Sequence, residues 1–285
     1  MNYIKIFDPW KNPLCTCPLK YSLNPYTGCS FSCIYCYISS FIKDPFSVRV
    51  KKDILKKIRK DVDKLDKNIY VSLSNSSDPY PYIEEKLNIT REILKIFRDE
   101  GIKTLIITKS DLVLRDIDIL KKMKVSVSIT ITTFNEIYKI LEPYAPTPER
   151  RLNALKKLKE NGIKTSIRID PIIPFVNDNI NEIEAMIKTL HNFCDQVIVS
   201  TLKLKPDSTR RFQEKLPDIY KKFIVYYKEK IRGNLYLDED YRYKIIYSIY
   251  NLTKKYDLDF SSCREGFKEL NTNICDGSGY IKNSV

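Results

Sequence analysis

The sequence lacks the features of a membrane-spanning or exported protein. In its 285 residues no apolar run reaches the length of a bilayer span. Residues 1–5 begin no stretch with the apolar core and cleavage pattern of a signal peptide. We therefore expect a cytoplasmic protein. In a reducing compartment, its eight cysteines are expected to be metal ligands more readily than disulfides.

Histidine is nearly absent, which limits the kinds of metal site. The single histidine, His191, falls at the end of a predicted helix with no acidic or histidine partner patterned around it. Capping or solvent exposure is favoured over metal ligation at that position. A metal site in this chain is therefore expected to use cysteine.

Acidic residues are in deficit. There are 36 Asp and Glu against 49 Lys and Arg, which gives a formal net charge of +13. This balance predicts an anionic partner, and with 20 tyrosines available for stacking the first candidate is nucleic acid. The alternative is a set of solvated helix faces, because the paired lysines recur at helical spacing along amphipathic segments.

Short apolar runs alternate with helical patterns, the order that yields parallel βα units. The predicted strands are residues 20–23, 69–73, 104–108, 125–131, 164–169 and 196–201, and the predicted helices are 53–65, 89–100, 117–123, 148–161 and 180–190. No dinucleotide-binding fingerprint repeats among them. The pattern predicts an α/β fold, a partial TIM-like (β/α)6 barrel whose reactive groups lie at the carboxyl ends of the strands.

Three segments are expected. Residues 1–18 are too rich in proline for a helix and are predicted to form a packed arm, and residues 19–205 form the barrel. Residues 206–285 are predicted to contain helices at about 211–230 and 239–256 and a last short strand at 258–261. Because no flexible Gly/Ser linker precedes this C-terminal extension, we expect it to pack on the barrel.

Three thiols occur within eight residues, at Cys29, Cys33 and Cys36, on a loop opened by Gly28. Such spacing lets one loop wrap a single soft metal centre. Three protein ligands leave one coordination position open, as a catalytic site requires. The alternatives are a zinc knuckle without its fourth ligand and a redox Cys33-x-x-Cys36 pair, both of which leave Cys29 unexplained.

The spacing Cys-x3-Cys-x-Tyr-Cys over residues 29–36 resembles the signature of radical S-adenosylmethionine (SAM) enzymes, and Tyr35 before the third cysteine fits it. Residues 24–28 (Asn-Pro-Tyr-Thr-Gly) are similar to the spore photoproduct lyase-like, DNA repair photolyase branch. The resemblance implies the radical SAM partial barrel and a 4Fe–4S cluster whose open iron binds the amino and carboxylate groups of SAM. It covers about residues 20–205.

Polar groups follow several predicted strands. Asp78 stands on a proline-fixed loop, Lys109 closes a strand, and Ser128 and Arg168 lie on strands that alternate with period two. By the resemblance, Tyr35 and these four residues are the cofactor-binding candidates: Asp78 for the SAM amino group, Lys109 for its carboxylate, and Ser128 and Arg168 for SAM or substrate. The alternatives are a surface turn at Asp78, an amphipathic edge strand at Ser128 and a salt bridge between Arg168 and Asp170.

The resemblance implies an enzyme that reductively cleaves SAM to a 5′-deoxyadenosyl radical, with nucleic acid as one candidate substrate and a ferredoxin or flavodoxin as electron donor. Glycyl-radical activation and methylthio transfer are alternative activities that begin with the same reductive cleavage of SAM. Spore photoproduct lyases use a further cysteine as hydrogen donor, and this chain has none between Cys36 and Cys194. The competing hypothesis is a nucleic-acid-binding protein with a purely structural metal site.

Five cysteines lie outside the signature. Cys194 has apolar neighbours and is expected to be a buried thiol. Cys15 and Cys17 precede the first predicted strand, and Cys263 and Cys275 follow the last. If those strands approach each other, four thiolates could hold a zinc ion or a second cluster. The alternatives are four unrelated thiols or one long-range disulfide, because neither pair has a standard ligand spacing.

Overall fold

The computed structural model of the protein describes residues 3–7 and 12–283, with side chains up to residue 281. Residues 1–2 and 8–11 of the predicted arm lie outside the described residues. The strands are β1 (Lys5–Ile6), β2 (Tyr21–Leu23), β3 (Tyr26–Thr27), β4 (Arg49–Val50), β5 (Val71–Leu73), β6 (Thr104–Thr108), β7 (Val125–Thr130), β8 (Lys164–Ile172), β9 (Gln196–Thr201), β10 (Tyr227–Ile231), β11 (Asn234–Leu237) and β12 (Asp259–Ser262). The α-helices are α1 (Ile54–Val62), α2 (Glu84–Leu87), α3 (Ile89–Asp99), α4 (Ile117–Leu120), α5 (Tyr138–Leu141), α6 (Pro148–Glu160), α7 (Ile180–Leu190), α8 (Pro206–Lys215), α9 (Pro217–Phe223) and α10 (Glu239–Lys255).

The central sheet has eight strands in the order β1-β2-β5-β6-β7-β8-β9-β12. All neighbours from β2 onward are parallel, and β1 adds an antiparallel edge. The six predicted barrel strands are all present, and the predicted partial TIM-like fold is confirmed. The last short strand predicted in the C-terminal extension is β12, which adds a further parallel strand beside β9. The sheet does not close between its first and last strands.

Helix boundaries follow local signals. The Thr147 hydroxyl accepts the Arg150 amide at the start of α6, Pro148 occupies the first helical position, and Gly162 has a φ of +74° just after the helix. A cap of this kind satisfies an amide that the helix itself leaves without a partner. The predicted ends of α6 and α7 agree with the structure to within one residue.

The predicted helix at 211–230 is wrong. α8 begins at Pro206, and a second proline, Pro217, begins a separate short helix. The chain then forms a hairpin of β10 and β11 that turns at Arg232-Gly233, where both residues have positive φ. Proline removes a helical hydrogen bond and starts a new helix more readily than it continues one. Residues of β10 alternate between half-buried and exposed, the period of a strand.

The open side of the barrel is covered by the arm and by residues 276–281, which we call the C-terminal segment. Lys20 and Asp276 form a buried salt bridge of 2.6 Å, and Tyr70 donates a hydrogen bond to the same carboxylate oxygen at 2.6 Å. Ile281 packs against Tyr70 and Leu105 on the inner face of the sheet. The C-terminal segment therefore fills the barrel interior below the cavity described next. Within the described residues, no helix is long and apolar enough to cross a membrane.

We predict that Asp276→Ala strongly destabilises the protein, because Lys20 then keeps a buried charge without its partner. Breaking a buried ion pair on one side costs about 3–5 kcal/mol. The free energy of unfolding from chemical denaturation measures this cost. Asp218→Ala, at an exposed helix position, is the matched control. If both variants lose the same small amount of unfolding free energy, the Lys20–Asp276 salt bridge does not stabilise the fold.

Candidate active site

The loop that carries the three signature thiols depends on Gly28. Its φ is +81°, and a Cβ at this position would stand 2.2 Å from the carbonyl oxygen of Ser47. Immediately after it, the amide of Cys29 donates to the carbonyl of Pro45 at 2.8 Å. Only glycine combines this backbone conformation with so close an approach of a second chain segment.

Cys29, Cys33 and Cys36 line one cavity of about 550 Å³ at the carboxyl ends of the barrel strands. Burial raises the pKa of Cys29 to about 12, and burial also raises the pKa of Cys33 and Cys36. All three thiols line the cavity, whereas a redox pair of Cys33 and Cys36 would leave Cys29 without a role. Among the described residues, no three His, Cys, Asp or Glu side chains form a ready-made metal cage.

A buried ion pair supports the signature loop from below. Glu142 and Arg151 are both fully buried and lie 2.5 Å apart. The Tyr35 hydroxyl donates a hydrogen bond to the Glu142 carboxylate, and the amide of Ile34 donates one to the carbonyl of Leu141 at 2.9 Å. Burial opposes ionisation of Glu142, but the charges of Arg151 and Lys109 lower its pKa below the usual value. The Glu142–Arg151 pair thus holds Tyr35 in place.

Arg211 of α8 holds the same loop from above. Its guanidinium donates to the carbonyl of Ile34 at 2.8 Å, to the hydroxyl of Ser39 at 2.9 Å and to the carbonyl of Cys36. Sequence reasoning missed this residue. An arginine on a polar helix face gives no local signal that distinguishes it from a solvated one, because its partners lie more than 170 residues away.

Asp78 organises the end of β6. Its carboxylate accepts hydrogen bonds from the Thr108 hydroxyl at 2.7 Å, the Lys109 amide at 2.8 Å and the Tyr80 amide at 2.9 Å. Burial nevertheless raises the pKa of Asp78 above its usual value. The loop before it is fixed by Asn24, whose side-chain oxygen accepts the amide of Ser76 at 3.0 Å. An ionised carboxylate has about four acceptor sites, so it can still accept a ligand donor.

Two cations line the cavity near the thiols. The Lys109 ammonium lies 5.5 Å from the centre of the Tyr35 ring. Burial opposes its charged form, but nearby negative charges, among them that of Glu142, raise its pKa above the usual value. Arg168 pairs with Asp170 at 3.0 Å through Nη2, while its buried Nη1 has no hydrogen-bond partner. From the sequence, this salt bridge was the alternative to ligand binding by Arg168. The structure has the salt bridge, and the unpaired Nη1 is still available as a donor to a ligand.

Ser128 does not reach the cavity. It is completely buried, and its hydroxyl accepts a hydrogen bond from Ser166 at 2.9 Å, next to Gly277 of the C-terminal segment. Thr130, two residues further along the same face of β7, lines the cavity instead. The period of two identified the correct face of the strand, but the C-terminal segment fills the barrel to the level of Ser128.

The mouth of the cavity is basic and partly aromatic. Lys205 and the exposed Arg232 are among its lining residues, whereas the side chain of the neighbouring Lys203 is 7% exposed and pairs with the buried Glu265. Lys205 lies 5.0 Å from the centre of the ring of Phe41, which is 54% exposed. Cations beside an exposed aromatic ring are the combination that proteins use to bind the backbone and bases of single-stranded nucleic acids.

The structure brings the outer cysteines together as well. Cys15, Cys17 and Cys263 line the same cavity, and the Sγ atoms of Cys17 and Cys275 lie 3.8 Å apart. The fifth, Cys194, is 3% exposed, so the prediction of a buried thiol is confirmed.

Comparison with known proteins agrees with this geometry. Residues 23–190 match the model of the Radical SAM superfamily. An uncharacterized protein of Methanocaldococcus jannaschii is 33% identical over 245 residues, 84% of this chain and 88% of that protein. Spore photoproduct lyase complexed with dinucleoside spore photoproduct has a TM-score of 0.66 at 15% identity, covering 85% of this chain and 75% of that one. Streptococcus suis SuiB bound to S-adenosylmethionine has a TM-score of 0.58 at 17% identity, and the match covers 85% of this chain and 49% of SuiB. SuiB is also solved with its precursor peptide SuiA. At these identities the two solved structures show a shared fold.

We predict that Arg211→Ala weakens metal retention more than it weakens the fold. Hydrogen bonds to a charged group are worth about 1.5–3 kcal/mol each, and this substitution removes three that act on the signature loop. After anaerobic reconstitution, the variant should lose iron to a chelator faster than the wild type. Arg210→Ala, its exposed neighbour, is the control. If both variants lose iron at the same rate, the hydrogen bonds of Arg211 do not hold the signature loop.

Proposed function

Because the chain belongs to the radical SAM superfamily, we propose that Cys29, Cys33 and Cys36 hold a 4Fe–4S cluster and that the cavity binds SAM beside it. One observation supports this most directly: the three thiols share a single cavity with Asp78, Lys109 and the unpaired Nη1 of Arg168. Its volume of about 550 Å³ lies in the range of small-molecule sites. Soft thiolates suit iron, and oxygen and nitrogen groups suit the polar end of SAM.

When bound, the reduced cluster supplies one electron to SAM, which yields methionine and a 5′-deoxyadenosyl radical that abstracts hydrogen from the substrate. The chain's share is position and exclusion of water. Tyr35 and Arg211 fix the loop that carries the three thiols, all of which line the cavity. Three protein ligands would leave one coordination position of a bound cluster open to SAM. An electron donor of the ferredoxin or flavodoxin type completes the system.

The polar groups have distinct proposed roles. Asp78 accepts the SAM amino group, since three donors already hold its carboxylate in position and one acceptor site remains. Lys109 pairs with the SAM carboxylate as a point charge. Arg168 offers Nη1 to SAM or substrate, and Asp170 keeps its guanidinium oriented. Ser128 has no part in the proposed site.

For the substrate we propose a nucleic acid. Lys205 and the exposed Arg232 line the cavity, and Lys205 lies beside the exposed ring of Phe41. A neighbour in fold, spore photoproduct lyase, is solved with a dinucleoside photoproduct. A second candidate is a peptide, since SuiB is solved with one. The basic entrance favours the polyanion.

We predict that the reconstituted, dithionite-reduced protein cleaves SAM to 5′-deoxyadenosine and that Cys29→Ala/Cys33→Ala/Cys36→Ala abolishes this. Lys109→Met should raise the KM for SAM about tenfold to a hundredfold with iron content unchanged, because a charge-assisted hydrogen bond is worth about 1.5–3 kcal/mol. Lys122→Met, on the exposed surface, is the control. Equal SAM cleavage by the wild type and the triple variant would refute the enzyme assignment.

We predict that single-stranded oligonucleotides bind and accelerate 5′-deoxyadenosine formation, whereas peptides of similar length do not. Affinity should fall as salt rises, with a logarithmic slope of about 0.7 for each phosphate that the protein neutralises. Lys205→Ala/Arg232→Ala should reduce that slope, while Lys157→Ala, on α6, should leave it unchanged. Affinity independent of salt, or acceleration by peptide alone, would exclude nucleic acid as the substrate.

A further inference from the structure

We propose that Cys15, Cys17, Cys263 and Cys275 form a second metal site, a closed tetrathiolate that holds one zinc ion and joins the N-terminal arm to the C-terminal part of the chain. The four residues lie outside the signature loop, although three of them line the same cavity as that loop, and the site does not depend on the proposed function. It uses all the cysteines outside the signature except Cys194.

The fold brings the two cysteine pairs together across the open side of the barrel. The arm contacts the C-terminal part at several points: Asn12 donates to the Tyr236 hydroxyl at 3.0 Å, Leu14 meets Gly266, and Lys20 binds Asp276. The amide of Cys263 donates to the carbonyl of Val199 at 2.8 Å, which fixes this residue just past β12. Cys17 and Cys275 are thus neighbours although 258 positions separate them.

The sulfur separation agrees with a single ion and is also the distance of a thiol–thiol hydrogen bond. The Sγ atoms of Cys17 and Cys275 lie 3.8 Å apart. Tetrahedral zinc with metal–sulfur bonds of about 2.3 Å places its ligand sulfurs about 3.8 Å apart. In a cubane cluster each cysteine binds a different iron, so the ligand sulfurs stand much farther apart. A disulfide would need a far shorter separation, of about 2 Å.

The surrounding charges suit such a site. Zinc with four thiolates has a net charge of −2, and a buried charge needs partners of opposite sign. The Lys20 ammonium is 2% exposed and lies 3.6 Å from the Cys17 Sγ, within donating distance. Arg168 and Arg264 line the same cavity as Cys263. Cations thus lie beside both cysteine pairs.

The four thiols are not a preformed cage in the described residues, and neither are the three signature thiols. Cys15, Cys17 and Cys263 line one cavity. Side-chain rotation of Cys15 and Cys263 towards the Cys17–Cys275 pair is the change that binding requires. Four protein ligands leave no open position, which makes the site a structural one.

Metal content tests the proposal. We expect protein produced with zinc and reconstituted anaerobically with iron and sulfide to hold one zinc and four irons per chain. Cys17→Ser/Cys275→Ser should lose the zinc and keep the irons, and the triple signature variant should lose the irons and keep the zinc. Cys194→Ser is the matched control and should keep both. Cobalt in place of zinc should show the visible bands of a tetrahedral thiolate site.

Three outcomes would overturn the proposal. One is wild-type protein without zinc in which all four thiols are alkylated under native conditions. Another is extra iron and sulfide that the Cys17→Ser/Cys275→Ser variant loses, since this indicates a second cluster. The third is a Cys17–Cys275 disulfide in the mass spectrum of protein kept under reducing conditions. If the serine variant fails to fold, wild-type protein is titrated with a mercurial reagent instead. Zinc should be released as the four outer thiols react, and thiol reaction without zinc release would overturn the proposal.

Discussion

The central sheet does not close, and the rest of the molecule is arranged around that gap. A parallel sheet exposes hydrogen-bonding edges and an inner face unless something covers them. Here the arm and the C-terminal segment do so, and the buried pair of Lys20 and Asp276 joins the C-terminal segment to the start of β2. The segment also fills the lower half of the barrel, which confines the cavity to the carboxyl ends of the strands.

The signature loop is held by groups from two distant parts of the chain. The buried Glu142–Arg151 pair fixes Tyr35, and Arg211 of the extension orients two of the loop carbonyls. A loop with three thiols has little regular structure of its own. Its geometry therefore depends on side chains that the family signature does not contain, and the extension is part of the site.

The sequence was informative where the signal is local. Alternation with period two and short apolar runs located the six barrel strands, and the rule that polar groups gather at their carboxyl ends placed Asp78, Lys109 and Arg168 on one cavity. It failed where a distant segment decides the outcome. Ser128 lies on the correct face but beneath the C-terminal segment, and Arg211 finds its partners through tertiary contacts. Prolines inside a polar stretch turned one predicted helix into two helices and a hairpin.

Filling of the barrel by residues 276–281 has a consequence for the order of assembly. Strands β2 to β9 leave the ribosome well before this segment, yet the inner face of β6 and the partner of Lys20 are completed only by it. Until then the inner face of β6 lacks Ile281 and the Lys20 ammonium lacks its carboxylate partner. The barrel interior therefore takes its final form only after these residues have been synthesised.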